Sequence, residues 1–70
     1  MATYSEMFPL ETRVVVRAGT GRGSDELWNG HTGTLTKWPG NAWASIQMDK
    51  PKRGWPNPVV IEAFHIRKVT

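Results

Sequence analysis

The chain has 70 residues, nine Lys and Arg against six Asp and Glu for a net charge of +3, and no cysteine. That length fits one small domain that buries only roughly 60% of the surface its unfolded form exposes. Disulfides are excluded, and two histidines far apart in sequence do not make a structural zinc site. Packing must come from apolar side chains, chiefly the four tryptophans and two phenylalanines.

Residues 1–7 carry little pattern and read as a loose N-terminal tail, which leaves residues 8–70 as the domain. The first strand is Arg13-Val14-Val15-Val16-Arg17, three β-branched residues that end at Ala18-Gly19. Gly19-Thr20-Gly21-Arg22-Gly23-Ser24 is too glycine-rich for a strand. Ser24-Asp25-Glu26-Leu27-Trp28 suits one helical turn, with Ser24 as its cap and acids in the first turn. Asn29-Gly30 is a turn signal.

The second strand is Gly33-Thr34-Leu35-Thr36-Lys37-Trp38, and the third is the alternating run Trp43-Ala44-Ser45-Ile46-Gln47-Met48. Residues 39–42, with Pro39 and Gly40, join them as a hairpin. Residues 49–58 hold three prolines and form an irregular loop. Val59-Val60-Ile61-Glu62 is a fourth strand, Ala63-Phe64-His65 a tight turn, and Ile66-Arg67-Lys68-Val69 a short last strand. No stretch of ten residues has helical apolar spacing. The expected architecture is all-β, a five-stranded barrel whose closure removes exposed edges. Its core is expected to be Val14, Val16, Leu35, Ala44, Ile46, Met48, Ile61, Phe64, Ile66 and Val69.

Val14-x-Val16 followed by Gly30-x-x-Gly33-x-Leu35 resembles the KOW-type signature of SH3-like barrels in ribosomal and transcription factors. That resemblance implies a glycine pair at the entry to the second strand, an inward Leu35, and nucleic-acid or ribosome binding. Trp28-x-x-x-x-Gly33-Thr34-Leu35 is also similar to the small photosystem I subunit that helps ferredoxin dock, which implies a protein-docking role. That subunit ends in an acidic-aliphatic strand, whereas Ile66-Arg67-Lys68-Val69 is basic.

Two clusters suit binding. Leu35 inward and strict alternation place Trp38 and Trp43 outward and opposite one another, a platform able to stack bases or clamp a peptide; a bulge would reverse the parity of one of them. Lys50-Pro51-Lys52-Arg53-Gly54-Trp55-Pro56 joins three cations to a tryptophan in a proline-stiffened loop. Lys37 and Arg22 complete the candidate contact set, Arg22 on a flexible glycine-rich tip. Trp55 alternatively packs back on the barrel.

The Gly19-x-Gly21-x-Gly23 spacing lacks the strand–loop–helix setting of a phosphate cradle. Ser24, Asp25 and His31 match no catalytic motif. His31 reads as a loop residue and His65 as half-exposed. The composition therefore points to a non-catalytic binding module without metal or cofactor. Its expected partner is nucleic acid or, alternatively, an acidic or proline-rich protein surface, in some larger complex. No apolar run exceeds three residues and no signal segment opens residues 1–12, so the chain is expected to be soluble, cytoplasmic and free of membrane contact.

Overall fold

The computed structural model describes residues 3–21 and 23–69. Arg22 therefore lies outside the described residues. A helical turn, α1 (Tyr4–Met7), precedes strand β1 (Arg13–Val16). A 3-10 turn, η1 (Gly23–Trp28), leads into β2 (Thr32–Gly40) and β3 (Trp43–Met48). After β4 (Val59–Glu62) a second 3-10 turn, η2 (Ala63–His65), enters β5 (Ile66–Lys68). The five strands form one antiparallel sheet in the order β4-β3-β2-β1-β5. Residues 1–7 read as a tail; within them Thr3 caps α1, accepting from Glu6 N, and Tyr4 packs on the core.

Strand order and connection length together dictate curvature. In a flat sheet β4 and β5 would lie four strand spacings apart, roughly 19 Å. Only the three residues of η2 join them. The sheet must curl until its two outer strands approach, although no ladder of hydrogen bonds joins β4 to β5. η2 bridges the seam instead, with Ala63 N donating to Ala42 O at 2.8 Å and Arg17 N to His65 O at 2.6 Å.

The core inside the curl is close to that expected: Val14, Val16, Leu35, Ala44, Ile46, Met48, Ile61 and Ile66 are all buried. Two expected members are not. Val69 is exposed, because strand alternation cannot put residues three apart on one face and Ile66 takes the inward position. Phe64 is exposed because η2 turns its flanking Ala63 and His65 inward. Phe8, Ala18, Trp28, Val59 and Ala63 join the core in addition. The two glycines at the entry to β2 have different physical roles. Gly30 has a φ of +84°, which closes the turn after η1. Gly33 crosses β3 so closely that a Cβ there would stand 2.6 Å from Gln47 O and from Ile46 Cγ2.

The hairpin holds two register irregularities. Leu35 faces Ile46 as expected, but Lys37 rather than Thr36 comes opposite Ser45, and Gly40 rather than Trp38 comes opposite Trp43. Each shift adds a residue to β2 and reverses its alternation. The first turns Trp38 toward the core side, where it is half-buried and packs on the core cluster. Leu35→Ala or Ile46→Ala should lower stability by about 2–5 kcal/mol, as fully buried truncations do. Val69→Ala and Phe64→Ala should change it far less, a contrast that urea denaturation of the four variants would measure.

Candidate nucleic-acid interface

The expected contact residues fall at two separate ends of the β2–β3 hairpin. Trp38 and Trp43 lie at its turn, while residues 49–58 leave from the far end of β3. Five residues of strand, about 17 Å, separate Trp43 from Met48. The two clusters therefore do not form a single compact patch.

At the turn, the two tryptophans have opposite fates. Trp38 donates its indole N–H to Phe8 O at 3.1 Å and helps to hold α1 against the sheet. One side of its ring faces a groove of about 890 Å³ lined also by Tyr4, Met7 and Pro39. Trp43 is 46% exposed. It pairs directly with Gly40 on β2 and Glu62 on β4, and two positions along the strand Lys37 and Val60 pair with Ser45. The expected Trp38–Trp43 pair is thus absent, for the reason of register given above.

At the other end the loop is anchored by its own aromatic residue. Trp55 is half-buried and meets the fully buried Trp28 edge-on, with ring centroids 5.9 Å apart. Lys52 holds its ammonium 5.3 Å from the Trp28 ring centre, a cation–π contact. His31 closes a third side of Trp28, 5.3 Å away and nearly perpendicular. The Asn57 side chain accepts from Met48 N at 3.1 Å and ties the loop's end to β3. Trp55 and Lys52 thus hold the loop, and Lys50 and Arg53 are the exposed pair that it presents. Lys50 borders a small cleft with Asn29, His31, Thr32 and Asp49.

The electrostatics of the sheet face depend on Asp49. Arg13 clamps its carboxylate with both guanidinium nitrogens, one bond being 2.6 Å, and Thr32 donates to it at 2.7 Å. The Arg13 hydrogen bonds, followed by that of Thr32, hold the Asp49 carboxyl well below the usual carboxylate range. The same pairing raises the Arg13 guanidinium above its ordinary value.

A third polar cluster was not visible in the sequence. Asp25, on η1, is buried and accepts from Glu62 N at 3.2 Å and from His65 Nδ1 at 2.6 Å. His65, expected to be half-exposed, is buried beside it, and Glu62 Oε2 stands 3.8 Å from the same nitrogen. His65 lies inward where its ring meets the Asp25 carboxylate, while Phe64 beside it stays exposed. Asp25, Glu62 and His65 have the donor types of a metal centre. A nitrogen and an oxygen 2.6 Å apart are, however, at hydrogen-bonding distance and closer than two ligands of one zinc ion stand, roughly 3.3 Å at the usual bond lengths. The cluster is a structural hydrogen-bond centre. Comparison of the chain with family models, with curated proteins and with solved structures finds no match.

The Asp49 shift fixes the sign of a pH effect. Its carboxyl is lower in the folded chain than the roughly 3.9 of an unfolded aspartate, so it stabilises the fold above about pH 4, and that contribution fades as pH falls further. The melting temperature of Asp49→Asn should lie below that of the parent at pH 7. The gap should narrow on acidification below pH 4 and in high salt, as thermal melts across that range would record.

Proposed function

We propose that this chain is a non-catalytic nucleic-acid-binding module built as an SH3-like barrel. The strand order β4-β3-β2-β1-β5 and the 3-10 turn before the last strand support the barrel. The exposed cations without a carboxylate partner carry the binding reading. Of the eight described Lys and Arg residues (nine in the chain, less Arg22), Arg13 alone is paired with a carboxylate. Among the acids, Asp25 is buried, Asp49 is neutralised by Arg13, and Glu26 accepts from Gly21 N at 2.9 Å. The Arg13–Asp49 pair removes one cation and one acid together, so the net charge stays +3 while the other described cations stand unpaired. Lys37, Lys50 and Arg53 are exposed and free for phosphate, with Arg22 a further member of the contact set. Anchoring by Trp55 and Lys52 reduces the ordering cost of presenting Lys50 and Arg53.

Docking of an acidic or proline-rich protein is the second reading. The groove between α1 and the hairpin turn favours it, since Tyr4, Met7, Trp38 and Pro39 give it an apolar and aromatic lining.

Affinity for oligonucleotides should fall steeply as salt rises, because each neutralised phosphate releases counterions. Lys50→Gln with Arg53→Gln should reduce the magnitude of the slope of log K against log salt by about 1.4 on single strands or about 1.8 on duplex DNA. Lys52→Gln should instead lower the melting temperature, because its ammonium packs on Trp28. Salt-independent binding, or none at low salt, would overturn the nucleic-acid reading.

A further inference from the structure

The two clusters that fail to meet at one point are joined by the outer face of β2 and β3. Register places Thr34 beside Gln47 and Lys37 beside Ser45 on that face, with Arg13 of β1 alongside Thr34. Arg13 donates to Thr34 Oγ1 at 2.9 Å, and Thr36 Oγ1 donates to Ser45 O at 3.2 Å. Lys37 and the exposed Trp43 stand at one end, Lys50 beside Thr32 and Asp49 at the other. Two carboxylates border this path: Asp49 is already held by Arg13, and Glu62, paired with Trp43 across β3 and β4, is half-buried with its Oε2 3.8 Å from His65 Nδ1.

From this arrangement we infer that the outer face of β2 and β3 is a track for single-stranded nucleic acid, on which Trp43 stacks against a base. The inference rests on the nucleic-acid reading above and names its substrate class. Charge complementarity sets the direction of the strand along the sheet, with Lys37 near the phosphates at one end and Lys50 and Arg53 at the other. Between them the exposed Gln47 amide and the partly exposed Thr34 hydroxyl offer hydrogen bonds without a fixed pattern, which suits low sequence preference, while Ser45 is buried.

Trp43 decides between single and double strands. It pairs with Gly40 across the hairpin turn, where an added Cβ would stand 3.6 Å from Trp43 Cδ1, ordinary contact range. The residue is 46% exposed. A stacking surface of this kind takes bases that are unstacked from their neighbours, which a duplex does not offer. Reading a duplex through its major groove takes a protruding helix or β-ribbon. Here the end of the β2–β3 ribbon is tied down by Trp38 on Phe8, and the helical segments among the described residues span at most six residues.

The test is fluorescence anisotropy with labelled twelve-residue oligo-dT, oligo-rU and a mixed-sequence duplex, each at low and physiological salt. Both single strands should bind at least tenfold tighter than the duplex, and their ratio reports whether the sugar is read. Trp43→Ala should weaken single-strand binding about 5- to 150-fold with an unchanged salt slope, and Trp43→Phe should recover most of it. In the unmutated chain, the Trp43 indole N–H resonance should shift on titration with oligo-dT while that of Trp28 stays in place. Single-strand binding within twofold for Trp43→Ala, an unmoved Trp43 resonance, or a duplex bound as tightly as the single strands would overturn the track. In those cases a salt slope still sensitive to Lys50→Gln with Arg53→Gln leaves the broader reading standing. Absence of binding to all three probes at low salt would overturn both.

Discussion

The carboxylate of Asp25 holds the two halves of this fold together. A sheet of five short strands whose outer members are joined by three residues has to be drawn into a curl, and no backbone ladder closes it. One buried oxygen on η1 receives the backbone N–H that opens η2 and the imidazole that ends it. The long β1–β2 connection is thereby fastened across the seam, and Trp28, at the end of the same turn, is pressed into the core. Removing one member of a buried, hydrogen-bonded polar group leaves its partner unsatisfied, so such centres stabilise a unique arrangement more than they add to a sum of contacts.

From Trp28 outward, the fold sets the chemistry of the surface. Trp28 is the floor on which Trp55, His31 and Lys52 rest, and the loop of residues 49–58 takes its position from that contact. Two of its three cations are left to solvent. At the other end of the hairpin, the bulges assign Trp38 to the interior and leave Trp43 outside. The sheet between them is polar, with Asp49 neutralised by Arg13 and Glu62 beside Trp43. Burial thus divides the tryptophans: Trp28 is in the core, Trp38 and Trp55 anchor a helical turn and a loop, and Trp43 is exposed.

The legible part of this molecule was its local pattern. Alternation around Leu35 and Ile46, the β-branched run at Val14–Val16 and the proline–glycine turn each follow from properties of a few neighbouring residues, and so they identified the strands and eight core positions. The glycines at 30 and 33 were also readable as a pair, although only the structure separates a positive φ from a close crossing of strands. Val69 lies outside the core because, three residues from the inward Ile66, a strand side chain falls on the opposite face. What stayed hidden is non-local. A single added residue in β2 leaves no mark in composition, yet it reverses the side on which Trp38 lies. Asp25 and His65 are forty positions apart, and an acid in the first turn of a short helix ordinarily faces water. Trp28 carried a weak signal, as the one large aromatic residue in an otherwise polar connection.

The dependence on Asp25 is open to direct measurement by a double-mutant cycle in urea, with Asp25→Asn, His65→Gln and the pair together. If the carboxylate and the imidazole act as one unit across the seam, the double variant should be more stable than the sum of the single losses implies, by a coupling of about 0.5–3 kcal/mol. Additivity of the two losses would contradict that account, since it would mean that each residue stabilises the fold through other neighbours and that the seam is closed by something else.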